Sequence, residues 1–130
     1  MNTQPPPYLS SGLPKSMLIG KATQFSDIVY LESSRNYTFI YFSDGSRQLV
    51  SKTLGAFEIP LTALGFVRIS KSIIANLAYI KESCGGDVCS VLLSNGSWYL
   101  CSRRKSPKVK KAIQNQFTNH YQTKNNENYF

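Results

Sequence analysis

The sequence predicts one mainly β domain with a short internal helix and a C-terminal helix. Of the 130 residues, 42% are hydrophobic and 12% aromatic, which is typical of a chain that folds around one core. Hydrophobic residues mostly alternate with polar ones, as they do in half-buried strands. Short Gly-containing turn signals separate these runs, which favours antiparallel hairpins.

Three strands are predicted in the first half, at residues 27–32, 37–42 and 47–51. The second of these is rich in aromatic and β-branched residues. Asp44-Gly45 predicts a type I′ turn before the third strand, because both central positions of that turn need positive φ. Residues 53–58 predict a short helix that Thr53 caps and Pro60 ends.

The second half predicts further strands at residues 66–70, 77–82, 88–94 and 97–102, with a tight segment at 71–76. Gly85-Gly86-Asp87 predicts one turn, and Asn95-Gly96 predicts a second type I′ hairpin. Ser106-Pro107 predicts the start of the C-terminal helix, with Ser as the N-cap and Pro at the first position. One face of that helix is apolar and carries Val109, Ala112, Ile113 and Phe117.

The two ends of the chain differ from its middle. Residues 1–15 contain four prolines and two serines, so we expect an extended leader. The folded domain is expected over residues 16–117, followed by a polar, flexible tail over 118–130. No apolar run approaches the ~20 residues of a membrane span, and the start lacks the pattern of a signal peptide. A cytoplasmic location is therefore the default expectation.

The positive charge is concentrated in one part of the chain. Lys and Arg number 15 against 7 Asp and Glu, a net charge of +8. Residues 66–111 contain nine cations and two anions, which is +7 of that total. Because such a segment attracts polyanions, DNA is the predicted partner, and its contact surface is expected mainly in the second half.

The sequence gives little sign of catalysis, metal binding or a cofactor. Cys84, Cys89 and Cys101 lack metal-type spacing, and His120 lies near the C-terminus. Cys89 alternates with apolar residues and is predicted to be a small buried hydrophobe. The carboxylates are scattered, and Gly-rich phosphate-binding loops are absent, so we expect no enzyme.

Two segments mix cations with hydroxyl side chains where predicted strands end, at residues 66–77 and 102–108. Arg can bind guanine bidentately, while Lys, Ser and Asn can contact phosphates or bases. Taken singly, each segment is better explained without DNA: Arg68 and Lys71 as a solvated edge, and residues 103–105 as an ordinary basic loop.

Three motifs, in order and spacing, resemble the LytTR-type DNA-binding domains of bacterial response regulators. The first is Asp-Ile-x-Tyr-Leu-Glu-Ser-Ser-x-Asn-Tyr at residues 27–37. The second comprises Phe66, Arg68, Ile69, Ser72, Asn76 and Leu77. The third is Ser102-Arg103-Arg104 before a basic amphipathic helix. The resemblance covers about residues 17–117.

This resemblance implies an elongated set of packed β-sheets that contacts DNA through loops at strand ends, without a recognition helix. Together with the basic segments, it predicts ten DNA-contacting residues: Arg35, Asn36, Tyr37, Arg68, Ser70, Lys71, Arg103, Arg104, Lys105 and Lys108. Many relatives have His where this chain has the shorter Ser70.

Some residues of the central motif have an alternative, structural role. Arg68, Ser72 and Asn76 could instead fix the backbone of the turn, and for Asn76 we favour bonding to main-chain groups. The apolar residues of the motif are expected in the core: Phe66, Ile69, Ile73 and Leu77.

The function implied is sequence-specific binding of double-stranded DNA in transcription regulation. The resemblance also implies that the DNA sites are paired direct repeats, that copies of the protein associate on DNA, and that a sensor or receiver protein is a partner. The chain could be either a stand-alone regulator or a domain excised from a longer one. Two alternatives stay open. One is a protein-interaction module that uses a sheet edge or the Tyr/Phe-rich strands. The other is a single-stranded RNA binder that stacks bases on Tyr37, Tyr41 or Trp98.

Overall fold

The computed structural model of the chain describes residues 25–116. The predicted leader and tail therefore lie outside the described residues. Eight strands occur in this range: β1 Ile28–Ser34, β2 Tyr37–Phe42, β3 Arg47–Val50, β4 Phe66–Arg68, β5 Ile73–Asn76, β6 Ile80–Cys84, β7 Ser90–Leu93 and β8 Trp98–Leu100. Helix α1 is Gly55–Thr62, and residues 106–116 are helical (α2). Among residues 25–116, neither helix has the length and apolar character needed to span a membrane.

The strands form two antiparallel sheets, which confirms the mainly β prediction. The larger sheet has the order β3-β2-β1-β5-β4, and the smaller one has the order β6-β7-β8. Strand β1 is central in the larger sheet, where Leu31 lies opposite Ile40 on β2 and Ile74 on β5. The β1–β2 and β4–β5 connections therefore leave the larger sheet at the same end.

The centre of the larger sheet, at β1 and β5, is buried on both faces. One face packs against α1 through Phe57 and Leu61, both of which are 0% exposed. The other face packs against the smaller sheet and α2, through side chains such as Val91 and Val109. Because both faces of β5 are covered, its residues form a continuous buried run rather than an alternating one. This is why the prediction of a tight segment at 71–76 missed a strand.

The predicted type I′ turns are wrong at both hairpins. Within residues 25–116, Asp44 and Asn95 are not among the residues with positive φ, whereas Gly45 and Gly96 have φ of 89° and 86°. The Gly45 amide donates to the Phe42 carbonyl at 3.0 Å, and the Phe42 amide donates to the Ser46 carbonyl at 2.9 Å. The 93–97 turn repeats this pattern. Both loops are thus three-residue turns that end in a glycine bulge.

Helix α1 also departs from the prediction. It begins at Gly55 without a side-chain cap from Thr53, and it continues through Pro60 to Thr62. A proline inside a helix costs about 3 kcal/mol. Full burial of Phe57 and Leu61 contributes about 1.5–3 kcal/mol each, so packing against the sheet outweighs the interruption.

The predicted cap of α2 is assigned to the wrong serine. Ser106 is fully buried, and its Oγ donates to the Ser102 carbonyl at 2.8 Å and accepts from the Cys89 amide at 3.0 Å. Ser102 Oγ instead accepts from the Lys105 amide at 3.2 Å, and the Ser106 amide donates to the Ser102 carbonyl. This bond between Ser106 and Ser102 is the first of the helix and encloses residues 103–105. It therefore places the three cations Arg103, Arg104 and Lys105 in the opening turn of α2.

The apolar face of α2 is buried as predicted at Val109 and Ile113, while Phe117 lies outside the described residues. Cys89 is 1% exposed, which confirms its prediction as a buried hydrophobe. Cys101 lies directly across from it, and its amide donates to the Cys89 carbonyl at 2.9 Å. Burial raises the pKa of the Cys101 thiol well above its ordinary value.

Candidate nucleic-acid interface

Three loops meet at one end of the larger sheet. They are the β1–β2 turn with Tyr37 (residues 35–37), the β4–β5 loop (69–72) and the turn that enters α2 (102–105), which we call together the loop end. The Ser33 amide donates to the Ser72 carbonyl at 2.9 Å, which joins the end of β1, just before the first loop, to the second loop. The Ser102 amide donates to the Ile69 carbonyl at 2.9 Å, which joins the second to the third. Segments more than sixty residues apart in sequence thus form one surface.

Four cations of the loop end project into solvent. Arg35, Lys71, Arg103 and Arg104 are all exposed. Within residues 25–116, their side chains form neither hydrogen bonds nor ion pairs, and both ion pairs of that range involve Glu58. Because no carboxylate of the described chain neutralises them, these four charges are available to a polyanion.

Arg35 lies in a strained backbone conformation. Its φ is 58°, and no other non-glycine residue of the range 25–116 has positive φ. The left-handed region costs a residue with a Cβ about 1–2 kcal/mol. Strain of this kind is typical of functional sites, where the side chain is retained for its chemistry.

We expect Arg35→Gly to stabilise the fold. Relief of the strain, less the greater freedom of glycine in the unfolded chain, should raise the free energy of unfolding by about 0.5–1 kcal/mol. Denaturant titration checks the stability. Asn36→Gly is the matched control, because Asn36 has no positive φ to relieve and this change should lower stability. A lower free energy of unfolding in Arg35→Gly than in the wild type would contradict the interpretation that the backbone is strained at Arg35.

Arg68 holds the β4–β5 loop in place through hydrogen bonds to its main chain. Its Nε donates to the Ser70 carbonyl at 3.0 Å and its Nη2 to the Lys71 carbonyl at 2.6 Å. Its Nη1 donates to Glu58 Oε1 at 2.8 Å, and the side chain is only 18% exposed. The geometry thus favours the turn-fixing role of Arg68 over direct contact with DNA.

The Arg68–Glu58 pair affects the carboxyl directly. The hydrogen bond from Arg68 lowers the pKa of Glu58 below its ordinary value, and the charges of Arg68 and Lys105 act in the same direction. Lys105 Nζ lies 3.8 Å from Glu58 Oε2. Glu58 therefore stays ionised at neutral pH and lies beside two cations, Arg68 at the end of β4 and Lys105 in the turn that enters α2.

The hydroxyl and amide groups of the central motif bond mainly within the chain. Ser70 Oγ accepts from the Ser72 amide at 3.2 Å, so it closes its own loop. Asn76 is 5% exposed; its Nδ2 donates to the Ile28 carbonyl at 2.8 Å and its Oδ1 accepts from the Ala78 amide at 3.0 Å. The favoured structural role of Asn76 is therefore confirmed. The apolar residues lie in the core as predicted, fully for Phe66, Ile69 and Ile73 and partly for Leu77.

One cation of this surface escaped the sequence-based prediction. Lys52 follows β3, and its carbonyl accepts a hydrogen bond from Thr38 Oγ1 at 2.7 Å. Since Thr38 lies opposite Val50, continuing the register brings Lys52 beside Asn36. The side chain of Lys52 is exposed. Counting the hairpin register outward from the Asp44-Gly45 turn is the sequence signal that could have found it.

The sequence profile of the LytTr DNA-binding domain matches residues 21–114. The chain belongs to this family. Its LytTr fold is also similar to a solved structure, the LytTr DNA-binding domain of a Bacillus cereus protein named as a methyl-accepting/DNA response regulator. The TM-score is 0.63 at 22% identity, and the match covers 70% of this chain and 84% of that one. No curated protein sequence matches significantly.

As a LytTr domain, the chain has DNA as its partner. Eight of the ten predicted contact residues lie at the loop end, and Lys108 is exposed one turn further along α2. Arg68 is the tenth and lies beneath the surface. Among residues 25–116, no three side chains of His, Cys, Asp or Glu come together as a metal site would require.

Proposed function

We propose that this LytTr domain binds specific double-stranded DNA sequences through its loop end and acts as a bacterial transcription regulator in the cytoplasm. The observation that carries the proposal is the convergence of three loops whose exposed cations have no partner within residues 25–116. Duplex DNA presents closely spaced phosphates on either side of a groove. A compact surface with several cations on separate loops suits that arrangement.

The packing of α2 argues for reading by loops rather than by a helix. Val109 is 0% and Ile113 7% exposed, because this face of α2 packs into the core between the two sheets. A recognition helix needs side chains free along one face to enter the major groove. Here Arg103 and Arg104 lie in the opening turn, beside the two other loops, whereas the helix that follows packs its apolar face against the sheets.

The loop-end residues divide into two roles. Arg103 and Arg104 have the length and fork geometry for bidentate contact with guanine. Lys71, Arg35 and Lys52 act as phosphate contacts at the margins of the surface. Ser70 is short and its hydroxyl bonds the Ser72 amide, so its part in base readout is smaller than that of a longer side chain.

We further propose that two copies of the domain bind paired direct repeats side by side and associate on the DNA. By analogy with the Bacillus cereus relative, which is named as a response regulator, a sensor or receiver partner controls this binding. Length and spacing of the selected DNA sites would test the paired arrangement.

Selection of bound oligonucleotides from a random duplex pool tests the proposed function. We expect enrichment of a defined sequence. If the three phosphate contacts (Arg35, Lys52 and Lys71) each neutralise about one phosphate, log K should fall with log salt at a slope of roughly −3, which becomes roughly −4 to −5 if Arg103 and Arg104 also contact phosphates. Failure to enrich any sequence, or a slope near zero, would contradict the proposal.

Each alternative function has its own signature in the same assays. A protein-interaction module, which the exposed Trp98 and Leu100 on edge strand β8 would favour, shows no duplex preference and little salt dependence. A single-stranded RNA binder would lose duplex DNA to competing RNA. Against that reading, Tyr41 is covered by Tyr30, since their rings stack with centroids 4.3 Å apart.

A further inference from the structure

Glu58 connects helix α1 to two loops of the loop end, to one through Arg68 and to the other through Lys105. Its Oε1 accepts from Arg68 Nη1 at 2.8 Å, and its Oε2 lies 3.8 Å from Lys105 Nζ. Arg68 in turn donates to the carbonyls of Ser70 and Lys71. One carboxylate thus lies at the centre of a network that reaches the β4–β5 loop and the opening turn of α2.

We propose that Glu58 is a positioning residue for DNA recognition, which holds Arg68 against the β4–β5 loop so that Lys71 and Ser70 face the duplex in one fixed arrangement. This rests on the proposed function. The guanidinium is a planar fork, so fixing one edge on Glu58 sets the direction of the other donors toward the two carbonyls. Without the carboxylate, Arg68 can turn toward a phosphate, and the loop loses its support.

The position of Glu58 is itself well determined. Its neighbour Phe57 and the residue one turn later, Leu61, are both fully buried beneath the larger sheet. These contacts fix the rotation of α1 about its axis and direct Glu58 toward β4. The Glu58 side chain is 28% exposed, so the pair is only partly screened by solvent.

A positioning role and a simple charge effect predict opposite signs. An anion near a DNA-binding surface repels phosphates, so its neutralisation should strengthen binding if Glu58 acts only through its charge. If Glu58 instead orders the loop, its neutralisation should weaken binding. The sign of the change in affinity therefore decides between them.

The test compares Glu58→Gln with Glu82→Gln in the full chain. Glu82 is an exposed anion on β6, away from the loop end, so its variant loses the same charge without touching the network. On the duplex selected by the wild-type protein, Glu58→Gln should bind about tenfold more weakly, because the charge-assisted bond is lost. On a scrambled duplex the loss should be below about twofold. Binding by Glu58→Gln that equals or exceeds wild type overturns the proposal.

A second variant and a second measurement separate this inference from the proposed function. Glu58→Asp keeps the charge but shortens the reach, so it should also bind the selected duplex more weakly; wild-type affinity would overturn the positioning role. Amide hydrogen exchange needs no DNA. In Glu58→Gln, exchange should quicken at Ser70 and Ser72 but not at Gly96 in the distant hairpin. Unchanged exchange at Ser70 and Ser72 overturns the inference, even if the domain binds no specific duplex.

Discussion

Replacing Arg103 and Arg104 together with alanine is expected to lower affinity for the selected duplex about 30-fold or more. Both side chains are exposed in the opening turn of α2 and have no partner within residues 25–116. Good bidentate contacts with bases contribute about 1–3 kcal/mol each, so the pair accounts for about 2–6 kcal/mol. Gel-shift titration at fixed salt measures the loss. The salt slope should also become less negative by about 2 if the contacts are to phosphates.

The matched control for this prediction is the double variant Lys81→Ala with Lys111→Ala. Like the first double variant, it lowers the net charge of +8 by two, and both of its residues are exposed. Lys81 lies on β6 in the smaller sheet, and Lys111 lies two turns further along α2. The control should therefore lose little affinity. Equal losses in the two double variants would mean that net charge, rather than the loop end, accounts for binding.

Asn76→Leu is expected to destabilise the fold by about 2–4 kcal/mol. The change removes the partner of the Ile28 carbonyl and of the Ala78 amide, and the site is 5% exposed. A buried polar group left without a hydrogen bond costs about 1–3 kcal/mol, which applies in full to the Ile28 carbonyl and in part to the less buried Ala78 amide. Denaturant or thermal unfolding measures the change.

Asn95→Leu provides the comparison for Asn76→Leu. Asn95 makes the same kind of bonds, since its Oδ1 accepts from the Ser97 amide at 3.0 Å and its Nδ2 donates to Tyr99 Oη at 2.9 Å. However, Asn95 is exposed, so water can replace both bonds. We expect Asn95→Leu to lower the free energy of unfolding by less than about 1 kcal/mol. If Asn76→Leu cost no more than Asn95→Leu, burial would not explain the role of Asn76.

Local pattern was enough to predict those parts of the fold in which one face of a strand is solvated. Strands β2 and β3 follow the alternation and lie close to their predicted bounds. Strand β5 was missed because α1 covers one of its faces and the smaller sheet the other, which erases the alternation. The path of α1 through Pro60 and the placement of Ser106 in the core were likewise decided by tertiary packing.

The candidate site was predictable in its loops but not in its internal bonds. Runs of cations beside hydroxyl residues marked the segments 70–71 and 103–105, and the structure brings them together. The support of the loop by Arg68 depends on Glu58, which is ten residues away on another element, so local spacing gave no sign of the pair. Lys52 was missed for a different reason, because its place depends on strand register.

The central claim is that DNA contacts the loop end of this LytTr domain. The most direct test is an NMR titration, in which the amide chemical shifts of the isotope-labelled protein are monitored as its selected duplex is added. We predict that the largest shifts occur at residues 35–37, 70–72 and 102–105. The turns at the opposite end of the domain, 43–45 and 94–96, should stay unchanged. Shifts concentrated at those distant turns, or on the outer face of β8 around Trp98 and Leu100, would contradict the claim.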